Sequence, residues 1–398
     1  MDSAKDISCI GAECTGCSAC SAACPVDAIY MERDAEGFPY PKIDGDACIA
    51  CGKCLKVCPA ARSCESYPIT TMQAVFARDK HLRDGSSSGG VFAACASHII
   101  SSGGVAVGAS IDASGHVAHR IVDTVDELPC LQKSKYVQSD TEGIYRAVKS
   151  KLDQGMRVLF SGCPCQVAGL LAYVGKNREK LITMDLICHG VPSPGAWEGH
   201  VHDITSGASA SSISFRRKDA AARTTFSIDV DAPGVHYRGR DEFDDPYMAL
   251  FVTGSANRES CYSCSYARRE RVGDITIGDC ASSNCYPEFY PWVQLSSISL
   301  NTSKGVLFWD EVSSLFEAIT IDADREIRLN AQLSHPSPRT ELRDGIYARI
   351  AHEGIGAAAA PVTPPRSLKV KIKRIVKILV PNIVRGRLIR LRARFHGR

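Results

Sequence analysis

Between residues 67 and 352 short apolar runs alternate with segments that are apolar on one side only. "TMQAVFARD" (71–79) reads as a strand, and "VFAACASHIIS" (91–101) places its apolar residues at helical spacing. "GGVAVGASID" and "HVAHRIVDT" read as a strand pair. "RVLFSG", "QVAGLLAYVG" and "LITMDLICHG" follow as strand, helix and strand. That βαβ order predicts two parallel strands with a right-handed crossover, whose carboxyl ends lie on one edge of the sheet. "VGDITIGD" (272–279) adds a further strand. The alternation is that of an α/β domain. Residues 1–66 look different: cysteine-rich turns surround "VDAIYMERDAEGFPYPKID", which alternates like a hairpin about Glu36-Gly37. The last stretch differs again. Leu368, Ile372, Ile375, Leu379 and Ile383 keep helical spacing, and Leu388, Leu391 and Phe395 continue it past Pro381, where a kink is expected.

Composition sharpens these divisions. With 398 residues, 44% hydrophobic and 23% charged, the chain has the composition of a globular protein of two or three domains. Its N-terminus shows no apolar export signal, and no run of about twenty apolar residues could span a membrane. The nineteen cysteines are therefore expected to serve metal in a reducing cytoplasm. The net charge of +3 conceals an asymmetry: residues 354–398 hold twelve Lys or Arg and no Asp or Glu. We divide the chain into 1–66, 67–352, a small-residue and proline linker over 353–365, and a basic amphipathic helical tail over 366–398. Such a tail suits anionic lipid headgroups, which would place the protein peripherally at the inner face of a membrane. Nucleic acid is disfavoured as a partner, because few aromatics are interleaved for base stacking.

The chemistry is concentrated in cysteine. "CTGCSACSAACP" (14–25) returns as "CIACGKCLKVCP" (48–59), displaced by 34 residues at every cysteine. This spacing is the bacterial ferredoxin pattern, in which three cysteines hold one [4Fe-4S] cluster and the fourth crosses to the other. Cys14, Cys17, Cys20 and Cys58 are expected to hold one cluster, and Cys48, Cys51, Cys54 and Cys24 the other. Zinc, which takes four ligands in CxxC pairs, does not need eight cysteines in this order. In the second unit Cys165 and Cys188 follow two parallel strand ends, and "CYSC" supplies Cys261 and Cys264. Four convergent thiolates would make a third cluster site, although cysteine is also a common packing residue, the reading given to Cys95. Ser86, Ser87, Ser88, Gly89 and Gly90 open a helix, where free N–H groups suit phosphate or form a cap without a ligand.

"SSSGGVF", "SKYVQSD", "VLFSGCPCQVAGL", "DLICHGVPSP", "FRRK", "RESCYSC" and "DITIGD" resemble, in this order, the blocks of the coenzyme F420 hydrogenase/dehydrogenase beta-subunit family, over roughly Met72 to Leu329. The dicluster ferredoxin unit is fused in front. The resemblance implies an α+β and α/β architecture: a small two-[4Fe-4S] ferredoxin domain followed by an α/β flavin-binding core. It implies FAD, faced by the serine–glycine loop with Lys135, Tyr136, Gln138 and Ser139, and a core cluster held by Cys165, Cys188, Cys261 and Cys264. His189 and Lys218 become candidate catalytic groups near the redox centre. The implied activity is an oxidoreductase that draws electrons from a redox partner protein or small carrier and delivers them to an organic substrate or deazaflavin. A rival reading is an electron-transfer subunit without its own substrate, serving a partner enzyme in a task such as surface polysaccharide biosynthesis. Where the family has an aromatic pair after "DITIGD", this chain has Cys280, Ala281 and Ser282, and Cys163 replaces a threonine or alanine. Two extra thiols therefore stand beside the expected ligands.

Overall fold

A computed structural model describes residues 6–176, 178–218, 224–239, 241–286 and 294–363. The tail expected over 366–398 lies outside the described residues. Helix and sheet are mixed, as the patterns require, and the N-terminal unit is ferredoxin-like. Strands Ile29–Arg33 and Pro39–Ile43 form an antiparallel hairpin, Ile29 opposite Ile43, with Glu36 and Gly37 in the turn. One short helix, Ala19–Ala23 or Lys53–Lys56, follows the second cysteine of each run and carries the third.

Eight strands make the main sheet, in the order Phe316–Ile321, Met72–Ala77, Ser296–Leu300, Ile275–Asp279, Leu181–Leu186, Val158–Gly162, Val105–Ile111, Val117–Val122. The four from Ile275–Asp279 to Val105–Ile111 run parallel, and antiparallel neighbours flank them on both sides. Val158, Leu159 and Phe160 are fully buried because helices cover both faces of this strand. Val91–Ser101 packs on one face through Cys95, Ile99 and Ile100, and Pro164–Val174 packs on the other through Val167 and Leu170. The parallel strands share an edge for their carboxyl ends. Gly162, Leu186 and Asp279 therefore hand the chain to Cys163, Ile187 and Cys280 on one side of the sheet. A second, three-stranded antiparallel sheet, Ser212–Lys218, Thr224–Ala232 and Val235–Arg238, adds its own aromatic core around Trp197, Phe215 and Tyr247.

The stretch expected as a linker is corrected by the structure. Ile355–Ala359 is a helix, and Ala358 and Ala359 are buried with Phe38, Leu250 and Tyr347. Alanine favours helix, so composition that resembles a spacer here makes a packed element. Arg343, buried just upstream, clasps Glu36 of the hairpin turn with two hydrogen bonds. The C-terminal segment thus anchors the N-terminal unit to the core.

Candidate functional site

The cysteine runs repeat in backbone as well as in sequence. Gly16 (φ 66°) and Ser18 (φ 60°) are left-handed in the first run, and Ala50 (φ 51°) and Gly52 (φ 66°) are left-handed in the second. Left-handed residues set among right-handed ones turn successive N–H groups toward one concavity, an anion-binding shape found at iron–sulfur sites. Gly16 N–H lies 3.4 Å from Cys14 Sγ, and Ala28 N–H lies 3.2 Å from Cys24 Sγ. Cys17, Cys20 and Cys58 are buried and Cys14 is half-buried, whereas Cys48 and Cys51 are exposed. Burial pushes the Cys17 thiol up to about 12, and Cys14 and Cys58 act on it in the same direction. Cys20 is raised too, by burial and then by Cys17, Cys14 and Cys58. The four expected ligands of the inner set therefore sense one another. Thiols crowded away from water need a cation before they ionise together, which iron supplies on binding. Among the described residues no three His, Cys, Asp or Glu side chains close on a single metal ion. Thiolates of a cube stand further apart than ligands of one ion, since each binds a different iron.

The inner run is fastened to the core. Arg258 Nε and Ser260 Oγ donate to Cys14 O at 2.7 and 3.1 Å, and Thr141 Oγ1 donates to Cys17 O at 3.0 Å. Gln138 Nε2 reaches Thr15 O and Gly16 O. Arg258 is buried, with its guanidinium 4.0 Å from the Tyr40 ring centre, so one side chain joins hairpin, cysteine loop and core.

Beyond this seam lies a cavity of about 40 Å³, more than one water requires, lined by Cys165, Cys188, Cys261 and Cys264 together with Thr15, His189, Arg258 and Arg271. Cys165 opens the helix Pro164–Val174, Cys188 follows the strand Leu181–Leu186, and Cys261 ends a short turn of helix, Glu259–Cys261. Burial raises the Cys165 thiol, with further contributions from Cys188, Cys264, Cys261 and also Cys17. That last contribution links cavity and inner run. Of the extra thiols, Cys163 Sγ lies 3.7 Å from Cys188 Sγ, whereas Cys280 Sγ turns away toward Ser282 and Glu326. Arg271 reaches over the cavity from a buried ion pair with Asp185 (3.2 Å).

The serine–glycine loop sits farther along the same edge, against the strand Ser296–Leu300. Ser88 Oγ donates to Leu295 O, Gly89 N–H donates to Ser296 Oγ, and Ser134 N–H donates to Ser87 Oγ. Ser86 Oγ turns back to Leu82 O. Gly90 begins the helix Val91–Ser101, and among the described residues no side chain caps the N–H groups of that helix end. Lys218 donates to Arg83 O and Ser88 O, and burial depresses its amine to about 8. Between loop and cavity stand Tyr136, Arg216, Asp279 and His189. Arg216 Nη1 donates at 2.8 Å to both Tyr136 Oη and Asp279 Oδ2, while its buried Nε has no partner among the described residues. Burial lowers His189, and Asp279 opposes that shift.

The expected cofactor residues divide. Lys218 and Ser86–Gly90 share the loop site, and Tyr136 adjoins it through Arg216. Lys135 donates instead to Cys130 O and Gln132 O. Gln138 joins the cysteine loop, and Ser139 joins a buried network with His119 Nδ1 (2.9 Å) and Gln166. Sequence reasoning passed over Arg216, Arg258, Asp279 and Arg271. The first three lie inside blocks quoted above, so the signal was present but attached to their neighbours.

The 4Fe-4S dicluster domain matches residues 13–61, and the C terminus of the coenzyme F420 hydrogenase/dehydrogenase beta subunit matches residues 155–322. The B subunit of the Na⁺-translocating ferredoxin:NAD⁺ oxidoreductase complex of Acetobacterium woodii is 44% identical over 46 residues, 12% of this chain and 13% of that protein. The F subunit of the F420H2 dehydrogenase of Methanosarcina mazei is 23% identical over 185 residues, 44% of this chain and 53% of that protein. The chain thus aligns with about half or less of these relatives' lengths. A chain of the F420-reducing [NiFe] hydrogenase complex from Methanosarcina barkeri is similar at TM-score 0.47 and 16% identity, over 66% of this chain and 88% of that one. The protein is an iron–sulfur electron-transfer protein whose dicluster domain carries two [4Fe-4S] clusters. It joins that domain to a segment, residues 155–322, that is similar to the C terminus of the coenzyme F420 hydrogenase/dehydrogenase beta subunit.

Proposed function

We propose that the protein is an iron–sulfur flavoprotein oxidoreductase that conducts electrons inward from its N-terminal domain to an organic substrate or deazaflavin at the sheet edge. The observation that carries this reading is the order of three cysteine sets. Exposed Cys48 and Cys51 form the outer end, the set of Cys14, Cys17, Cys20 and Cys58, three of them buried, the middle, and the cavity of Cys165, Cys188, Cys261 and Cys264, which Cys17 adjoins, the inner end. The four cavity cysteines would hold a third [4Fe-4S] cluster. Ser86–Gly90, Lys218 and Tyr136 would hold FAD, with the unpartnered Arg216 Nε as a donor for it. When bound, clusters supply one-electron transfer and flavin the exchange with two-electron chemistry. The chain itself excludes water from the middle of the path, fixes the inner cysteine loop through Arg258 and Gln138, and holds His189 beside the cavity as a proton-transfer group.

Two relatives bear the names of subunits of larger assemblies, which favours a second reading in which the chain passes electrons to a partner without a substrate of its own. One preparation separates the two. Anaerobically purified protein is expected to carry about twelve irons and one FAD per chain, with FAD bleaching after dithionite reduces the clusters. Eight irons with no flavin would overturn the flavoprotein reading and leave the electron-transfer role.

A further inference from the structure

The duplicated motif has one loop docked and its twin bare. Core side chains take up the carbonyls of Cys14, Thr15, Gly16 and Cys17 in the inner loop. The equivalent outer loop, Cys48, Ile49, Ala50 and Cys51, is exposed at every residue. Ile49, the counterpart of Thr15, leaves 60% of its surface open. The flanking residues differ in charge as well. The helix Lys53–Lys56 places Lys53 and Lys56 where the first run has Ala19 and Ala22. Arg62 Nη1 donates to Lys56 O at 3.2 Å, which brings a third cation alongside. None of the three makes an ion pair among the described residues, whereas nearby Arg146 and Arg178 are paired with Asp27 and Glu65. The acids preceding this loop are Asp44, whose carboxylate accepts the N–H groups of Asp46 and Ala47, and exposed Asp46.

We propose that the Cys48–Cys51 loop, with Ile49 at its centre and Lys53, Lys56 and Arg62 at its rim, is the docking surface for a small acidic one-electron carrier protein. An exposed apolar centre ringed by unpaired cations matches a partner with an apolar contact and an acidic rim. The internal duplication supplies the template, because the inner loop already uses the same face to meet the core. The proposal rests on the reading of this loop as the outer end of the electron path. A bacterial-type acidic ferredoxin serves as the probe, and its dissociation constant for the full-length holoprotein is measured at low and high salt. Binding is expected to weaken as salt rises. The pair Lys53→Glu and Lys56→Glu should weaken it about tenfold at low salt and flatten the salt dependence. Ile49→Ala should weaken it about fivefold with the salt slope retained. Both should keep wild-type iron content and dithionite reduction, and Lys151→Glu, in the last turn of the helix Ile144–Asp153, should bind as wild type. Unchanged affinity in the outer-loop variants overturns the proposal, whether or not the cluster midpoint potential shifts. So does a loss that Lys151→Glu shares equally, which would reflect net charge alone. Passage of electrons inward after dithionite reduction is followed separately, so a broken path would count against the proposed function and leave the docking result standing.

Discussion

Among the cysteines of the core, neighbouring groups separate ligand candidates from bystanders. Cys165 and Cys188 line the cavity with Cys261 and Cys264, while Cys280 faces Glu326 and Cys95 is sealed in the apolar layer beneath the sheet. Cys165→Ser and Cys188→Ser are therefore each expected to lower iron by about four atoms per chain, because opening one corner exposes a cube to loss. The N-terminal clusters should keep their spectra, having eight separate ligands. Cys95→Ser and Cys280→Ser should leave iron unchanged. Iron analysis and low-temperature electron paramagnetic resonance check all four variants, and full iron in both the Cys165 and Cys188 variants would remove the core cluster. Cys163 is the subtler case. It caps the helix Pro164–Val174, its N–H donating to Gln166 Oε1 at 2.9 Å, so its replacement disturbs the turn that presents Cys165.

That helix also sets how closely the two domains approach. Gly169 lies on its outer face, where an added Cβ would stand 2.9 Å from Cys17 Sγ and 3.2 Å from Tyr145 Oη. In an ordinary helix interior Gly→Ala stabilises by about 0.5–1 kcal/mol. Here the contact falls on a short side chain held in an expected cluster, so overpacking of about 1–3 kcal/mol should win. Gly169→Ala is predicted to lower the thermal unfolding midpoint and to speed loss of the N-terminal clusters to a chelator. A raised midpoint with unchanged iron release would show that the cysteine loop yields. The helix itself, the strands around it and the hairpin at Glu36-Gly37 were legible in the sequence because each has a local period. The seam was not. Gln138 meets Thr15 and Arg258 meets Cys14 across long separations in the chain, through single side chains that no periodicity records. Likewise the alanines at 358 and 359 show a burial role only once Phe38 lies against them. The cavity was legible at the level of topology: parallel strands fix which edge their ends share, so Cys165 and Cys188 could be brought together before any contact was seen.

At the scale of the whole molecule, charge is segregated along the chain. Up to residue 353 it carries 35 basic and 44 acidic side chains, and the remainder carries twelve basic and none acidic. The helix Ile355–Ala359 is buried in one apolar cluster with Phe38, beside the N-terminal hairpin turn. Among the described residues no helix is long and apolar enough to cross a membrane, and the lipid contact proposed for residues 366–398 rests on their basic and apolar pattern. Each basic residue near an anionic surface contributes about 1 kcal/mol, and the interleaved Leu, Ile and Val add apolar burial at the headgroup level. Full-length protein should therefore sediment with vesicles containing phosphatidylserine, be released as ionic strength rises, and bind neutral vesicles weakly. Deleting residues 366–398 should abolish sedimentation while iron content stays as in the full chain, since every cysteine expected to hold a cluster lies before residue 265. Vesicle binding that survives the deletion would move the lipid-facing surface onto the body, where the net charge is of the wrong sign. Equal binding to neutral and anionic vesicles would make the contact hydrophobic rather than electrostatic, and the twelve cations would then need another counterpart.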